Sequence, residues 1–521
     1  MMLCRAPKPE IADPEFRLCS RPKTGGGGAQ FGDYNDEPIC FKRQTHAESI
    51  MIRFGSSLAL AGLLTTFAPA SAEGANKPNI LFLLADQWRA QAFGYAGDPN
   101  VQTPHIDRLE RESVNCVNAV ASLPVCCPTR ASLLTGQRWQ THGVFLNDVP
   151  LNPNAFTLAK VLAQAGYATG YIGKWHLNGD GRSAFIPRER RQGFDYWKVL
   201  ECTHDYNHSF YYADGPEQLS WEGYDATAQT RDTQRYLRDH VRTNRPFFLF
   251  LAWGPPHDPY QTAPPQYRAK YQPADLKLRD NVPQAMADKV RTALAGYYAH
   301  CTALDDCVGD LLRTLRETGL AENTLVVFSA DHGDLLGSHG AFNKQQPYDE
   351  SIRVPLLFHW PKGLGARGRR VDAPIASEDF MPTLLGLCHV PIPKTVEGID
   401  YSDYLRGGKD RSDGATLIAC AAPFGQWIRR QGGREYRGLR TRRYTYVRDL
   451  NGPWLLFDNQ ADPVQLRNLV NQPSRAALQA ELEAKLAGKL KAIGDDFLPA
   501  DDYIKKWGYT VDQNGTVPYT P

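Results

Sequence analysis

The chain has 521 residues, 42% of them hydrophobic and 22% charged, with 59 basic side chains against 57 acidic ones and a net charge of +2. So even a balance excludes charge-driven binding to nucleic acid, and 10 tryptophans, 24 tyrosines and 22 phenylalanines supply too much core material for a disordered chain. The length suits one large core with a smaller companion.

Residues 1–50 have scattered prolines, a Gly25–Gly28 run, three of the 11 cysteines and no apolar period, and read as an upstream extension or a disordered N-terminus. Residues 51–72 follow with Met51-Ile52-Arg53, an apolar run from Leu58 to Phe67, and Ala70-Ser71-Ala72. A basic start, a short apolar stretch and a small-x-small end make a secretory signal. The run is too short to span a bilayer comfortably, so a secreted or periplasmic protein beginning near Glu73, without a stable membrane anchor, is expected. The other eight cysteines are too sparse for a disulfide scaffold and none has zinc-site spacing.

Beyond this point short apolar runs alternate with amphipathic stretches, the pattern of an α/β fold with a large, mostly parallel sheet flanked by helices. The first run, Ile80–Ala85, ends in Asp86-Gln87. Next comes Cys126-Cys127-Pro128-Thr129-Arg130, where Pro128 is suited to opening a helix. Cys126 would then face a helix N-terminus, which favours an anion, with Arg130 as a permanent bidentate donor beside it. His142 fits a structural role as well as a substrate-facing one. Tyr167–Ile172 runs into Gly173-Lys174-Trp175-His176, and His204, Asp205, Tyr206 and His208 mark a polar-aromatic loop. Phe247–Trp253 runs into Gly254-Pro255-Pro256-His257-Asp258. A helix over Thr292–Thr318, with Tyr297, Leu304, Val308, Leu311 and Leu312 on one face, precedes Leu325–Ala330, which ends in Asp331-His332-Gly333-Asp334. Lys344 follows a Gly-rich loop and suits either a site or solvent. From about residue 396 the pattern turns to short strands (Thr416–Ala419, Arg443–Val447, Trp454–Phe457) and a helix over Arg475–Lys491, a small antiparallel sheet with a helix. Trp427, Tyr436 and Arg440 are expected near the mouth of the site.

Ligands of open α/β sheets bind beyond the carboxyl ends of the strands, so the four polar clusters that end these runs should converge on one crevice. Asp86, Gln87, Asp331 and His332 offer mostly oxygen with one imidazole, a set for a hard divalent cation such as Ca²⁺ or Mg²⁺, with room for Mn²⁺.

The stretch Cys126-x-Pro128-x-Arg130 followed by Leu133-Leu134-Thr135-Gly136 resembles the signature of the type I sulfatases, in the alkaline phosphatase superfamily. The resemblance extends from about Lys77 to Asn468 and takes in Ala85-Asp86, Gly173-Lys174-Trp175-His176, Pro256-His257-Asp258-Pro259-Tyr260, Ser329-Ala330-Asp331-His332-Gly333, Lys344, Arg353-Val354-Pro355 and Leu456-Phe457-Asp458. It implies a catalytic domain over residues 75–395 and a C-terminal subdomain over 396–521. It implies further that a formylglycine-generating enzyme oxidises Cys126 to formylglycine, and that Asp86, Gln87, Asp331, His332 and the modified Cys126 hold a divalent metal, Ca²⁺ before Mn²⁺ or Mg²⁺. By the same resemblance Arg130, Lys174 and Lys344 offset charge on the sulfuryl oxygens, Asp331 helps to deprotonate the nucleophile, His257 (aided by Lys344) protonates the leaving alcohol, and His176 orients the formylglycine. Many sulfatases have Asp and Asn where this chain has Gln87 and His332. Those two residues look more like the branch with choline sulfatases, phosphonate monoester hydrolases and some glycan sulfatases. A sulfated small molecule or glycan is the expected substrate, a carbohydrate before an aryl sulfate. Phosphonate or phosphate ester hydrolysis on the same scaffold, and an unmatured protein that only binds sulfated glycans, are the alternatives.

Overall fold

The computed structural model describes residues 77–519; the extension and signal read from residues 1–72 lie outside them. An eight-stranded sheet crosses the molecule, and the four runs singled out above form its adjacent central strands. In chain order its strands are β1 (Asn79–Asp86), β2 (Val114–Cys116), β3 (Ala168–Lys174), β4 (Tyr196–Leu200), β5 (Phe247–Pro256), β6 (Thr324–Ala330), β7 (Leu356–His359) and β8 (Arg369–Val371). They lie in the order β8-β2-β7-β6-β1-β5-β3-β4. All the pairings are parallel except those of β7, which runs antiparallel to both β6 and β2.

Strands β1, β5 and β6 are apolar almost without interruption because helices cover both faces of the sheet, so neither face needs polar residues. Register is fixed by aromatic stacking across the three central strands β1, β5 and β3. The Phe82 and Phe250 rings lie 4.6 Å apart and those of Phe250 and Tyr171 4.9 Å apart, both stacked nearly parallel. Such pairs contribute about 0.5–1.5 kcal/mol each beyond their burial. A slip by one residue would turn every core side chain to the opposite face, so this stacking also aligns the strand ends.

Three helices complete the frame of the site. α1 (Cys126–Thr135) is buried along its whole length and stops at Gly136, whose φ of 64° provides the left-handed cap. α2 covers Asp225–His240, and α3 is longer than its sequence pattern indicated, Ala287–Glu317. Tyr297 on α3 donates its hydroxyl to the Gln87 carbonyl (3.0 Å) and accepts the Arg89 amide (3.0 Å), pinning the turn after β1 to the helix. Toward the C-terminus a four-stranded antiparallel sheet is built from β9 (Ala415–Cys420), β10 (Tyr436–Thr441), β11 (Tyr444–Asp449) and β12 (Gly452–Asp458). Helices α4 (Ala476–Ala492) and α5 (Ala500–Trp507) follow. α4 packs Leu482, Leu486 and Leu490 on the small sheet, whereas α5 sends Tyr503 back to Trp139 and Phe145 of the main core. No described helix is long and apolar enough to cross a membrane.

Asp225 opens α2 with one carboxylate oxygen buried and unpartnered, and burial pushes its pKa up to about 8. An unfolded aspartate ionises near 4, so its contribution to stability is complete below about pH 4 and is lost as pH rises to about 8. Asp225→Asn is therefore expected to raise the melting temperature at pH 8 by a few degrees, with the gain shrinking as pH falls towards 4. Thermal unfolding of both proteins across that range measures it.

Candidate active site

Each strand of the central four delivers side chains to a common point. β1 ends in Asp86 at an irregularity in its pairing with β5, and Gln87 then turns the chain with φ 67°. β3 supplies Lys174, β5 leads to His257, and β6 leads to Asp331 and His332. Cys126 enters from the other side as the first residue of α1, so the helix begins two residues earlier than Pro128 suggested. The backbone amide of Cys127 donates to Asn147 Oδ1 (3.1 Å), which satisfies one of the free N–H groups at that end.

The cations are closely committed. Arg130 places Nη2 3.0 Å from both Asp86 Oδ2 and Asp331 Oδ2, and its Nη1 donates to the Lys174 carbonyl at 2.8 Å. Its fork is filled by two buried carboxylates, which it holds side by side. Lys174 Nζ lies 2.6 Å from Asp86 Oδ2 and 3.9 Å from Cys126 Sγ. Lys344 is buried rather than solvated, and its three protons go to Gln87 Oε1 (3.0 Å), His257 Nε2 (2.9 Å) and Cys126 Sγ (3.3 Å).

These neighbours set the protonation states. Burial would raise the Asp86 pKa, but Lys174, Arg130 and His332 hold it well below the ordinary carboxylate range. Burial and the adjacent Asp86 raise that of Asp331. Burial and Asp86 also oppose ionisation of Cys126, yet Lys174, Lys344 and His332 outweigh them and keep its thiol well below the usual value. His257 is pushed down to about 3 by burial and by Lys344, so it is neutral at pH 7. Its Nδ1 faces the Asp258 carbonyl (2.8 Å), which leaves Nε2 as the acceptor for Lys344.

Ligand atoms of Asp86, Cys126, Asp331 and His332 all lie within 4.8 Å of one another, and each of these residues is buried. His332 Nδ1 is engaged by the Gly333 carbonyl at 2.9 Å, which leaves Nε2, 3.2 Å from Cys126 Sγ, as the nitrogen that would face a cation. Two carboxylates and one correctly oriented imidazole, converging on a buried point, fit a divalent cation. The Gln87 amide oxygen, on Lys344 beside Cys126, can join that set.

His176 stands somewhat apart, held in a left-handed conformation (φ 60°) with Nε2 3.1 Å from Asp148 Oδ1. Asp148 in turn takes both arms of Arg182 at 2.9 Å. Asn147, Asp148 and Arg182 carry no motif and were not picked out from sequence. Of the undecided residues, His142 is structural, accepting the Val144 amide on Nδ1 (3.0 Å) and reaching Ser132 with Nε2 (3.0 Å). His204 stacks on His257 with ring centroids 4.8 Å apart, while Asp205 and His208 form an exposed pair. Tyr206 is buried with its hydroxyl 3.2 Å from the Asp258 carbonyl.

Above these groups opens a cavity of about 300 Å³ that reaches Cys126, Lys174, His176, His257 and Lys344. Its rim is not the expected one. Tyr436 is buried and donates to the Gln345 carbonyl (2.9 Å), Arg440 is locked on Asp349 (3.0 and 3.1 Å), and Trp427 packs against Trp454. The mouth is made instead by Arg182, His204, Phe424–Gln426, Thr516 and Tyr519, with Arg182 stacked 3.6 Å over the Tyr519 ring.

Comparison with known proteins gives this arrangement a family. Residues 78–390 match the sulfatase family model, and residues 337–492 match that of the N-sulphoglucosamine sulphohydrolase C-terminal region. The chain is 46% identical over 450 residues to an ulvan-active sulfatase of Formosa agariphila, covering 85% of this chain and 87% of that one. It is 30% identical over 489 residues to an endo-4-O-sulfatase of Bacteroides thetaiotaomicron, covering 81% and 94%. The crystal structure of a sulfatase from Bacteroides fragilis superposes with a TM-score of 0.74 at 30% identity, covering 82% of this chain and 98% of that one. With this match and the alkaline phosphatase-like sheet, the chain belongs to the type I sulfatase family and is a sulfuric ester hydrolase.

Proposed function

We propose that this enzyme removes sulfate from a sulfated glycan, using formylglycine made from Cys126 and a divalent cation held by Asp86, Gln87, Asp331, His332 and position 126. The observation that carries this reading is the setting of Cys126: first residue of a buried helix, 3.2 Å from His332, 3.3 Å from Lys344 and 3.9 Å from Lys174, on the cavity wall. Sulfated glycans are favoured because the relatives include an ulvan-active sulfatase and an endo-4-O-sulfatase, and because the rim combines arginine, histidine and aromatic side chains.

The hydrate of a formylglycine at position 126 would supply two geminal hydroxyls, one as nucleophile towards sulfur and one to release sulfate, and the cation would supply the charge that lowers their pKa. Around it the chain's own residues divide the work. Arg130 keeps Asp86 and Asp331 in place, and Asp331, the carboxylate with the raised pKa, is the group suited to accept a proton from position 126. Lys174 and Lys344 set positive charge on either side of the reacting atoms, where negative charge grows on the sulfuryl oxygens. Proton delivery to the leaving alcohol falls to Lys344 and His257 together. The proton rests on Lys344, and His257 Nε2 at 2.9 Å is its relay. His176, anchored by Asp148, orients position 126 from the side.

The cavity-lining segments 424–426 and 516–519 belong to the C-terminal part, so we assign residues 75–395 to catalysis and 396–521 to a subdomain that shapes the mouth. Export through residues 51–72 and maturation by a formylglycine-generating enzyme complete the reading. All eight cysteines among the described residues are free and buried, so none is held in a disulfide.

Metal removal tests the cation. Dialysis against a chelator is expected to lower turnover of 4-nitrophenyl sulfate by ~10³-fold or more, with recovery on adding Ca²⁺, Mg²⁺ or Mn²⁺. Full activity in metal-free protein, verified by elemental analysis, would overturn the assignment. Screening sulfated mono- and polysaccharides for released sulfate tests the substrate class.

A further inference from the structure

A second depression of about 600 Å³ adjoins the catalytic cavity. The dipeptides His257-Asp258 and Asn343-Lys344 divide the two: His257 and Lys344 line the catalytic side, Asp258 and Asn343 the other. Asn343 Nδ2 donates to Asp258 Oδ1 at 3.0 Å, so the divide is a hydrogen-bonded ridge tied to both proton-delivering residues.

The groove beyond is lined by groups that suit a charged sugar chain. Arg268 and Lys289 are exposed on it, and neither has a carboxylate partner among the described residues. Lys289 sits 4.7 Å above the Phe342 ring, and Tyr260 is fixed by a hydrogen bond of 2.6 Å from its hydroxyl to Asp334. The one carboxylate on the lining, Asp258, already serves Gln87 (3.4 Å) and Asn343 on the ridge itself. On α3 itself, Arg291 pairs with Asp288 and Arg313 with Asp310. Two free cations beside two aromatic faces, one ridge away from the catalytic cavity, complement an anionic polymer with sugar rings.

We propose that this groove is an accessory subsite that binds a second anionic group, sulfate or carboxylate, on the same glycan chain whose ester is being cut. The inference rests on the glycan reading above and deepens it. The catalytic cavity is large enough for the ester and the ring that bears it, and flanking units of a polymer lie outside it. The ridge gives those units a path from Lys344 across Asn343 to Lys289 and Arg268. The substrate class that follows is an extended polyanionic saccharide cut within or near a run of charged units, rather than an isolated monosaccharide sulfate.

The test compares wild type with the double variants Arg268→Ala/Lys289→Ala and Arg268→Glu/Lys289→Glu, which change exposed side chains only. Substrates are 4-nitrophenyl sulfate and ulvan, read as KM and kcat. Binding of ulvan to each variant in a Cys126→Ala background is measured directly by titration. The alanine pair is expected to raise KM for the polymer about tenfold, and the glutamate pair to raise it further. Both are expected to weaken binding in parallel, to flatten its dependence on salt, and to leave kcat and KM on 4-nitrophenyl sulfate unchanged. Wild-type turnover of ulvan with no change in KM or binding in either variant would overturn the subsite alone. Turnover of 4-nitrophenyl sulfate without desulfation of ulvan by wild type would overturn the polymer reading, and the subsite with it.

Discussion

Cys126→Ala is expected to fold like the wild type and to lose at least ~10⁴-fold in turnover of every sulfate ester, because no other side chain in the cavity can replace the attacking oxygen. The thiol is wholly buried, so its loss leaves no exposed surface to repair, and Lys344 keeps its hydrogen bonds to Gln87 and His257. The serine variant is the more instructive control. A serine hydroxyl at position 126 has an attacking oxygen but no second hydroxyl, so the sulfated enzyme cannot expel sulfate by collapse to an aldehyde. If Cys126→Ser remains unconverted, it is expected to release at most one equivalent of alcohol per enzyme and then stop. Steady turnover by a demonstrably unconverted serine would remove the reason for the modification. Measuring alcohol release against enzyme concentration in the first seconds, with the peptide checked by mass spectrometry, separates these outcomes.

The second large effect concerns proton delivery. His257→Ala should lower kcat on a sugar sulfate by roughly 10²–10⁴-fold while costing much less on 4-nitrophenyl sulfate, whose leaving group departs without a proton. Lys344→Ala should slow both substrates, because Lys344 touches position 126 itself as well as His257. The difference follows from geometry. His257 meets the catalytic cluster through Lys344, whereas Lys344 has one proton on Cys126 Sγ and another on His257 Nε2. Equal losses on good and poor leaving groups for His257→Ala would show that it positions Lys344 rather than relaying a proton.

Much of this site is legible in the sequence because its carriers are strand ends. Each of the central runs is apolar until it meets the ligand-binding edge, where Asp86, Lys174, His257 or Asp331 follows within a few residues. The change of polarity marks the edge, and the parallel order brings the edges together. Cys126 is legible through its proline and arginine neighbours. Asp148 and Arg182 are not, because each lies in an irregular loop and gains its meaning only from His176 across the cavity. Strand β10 escaped for a related reason: Arg437 and Arg440 break its apolar alternation, yet both are buried, paired with Asp495 and Asp349 from distant segments. Those pairings also withdraw Arg440 from the mouth. The partners of Arg130 are hidden in the same way, since one sequence position cannot reveal that two carboxylates from β1 and from the end of β6 will claim its fork.

The central claim is that position 126 is a converted residue, and peptide mass spectrometry across Cys126 tests it most directly. In enzyme that releases sulfate, purified from a host able to mature it, the account predicts a peptide in which the thiol carbon has become an aldehyde, with sulfur and two hydrogens exchanged for one oxygen. Active enzyme carrying only an intact thiol at Cys126 would contradict it.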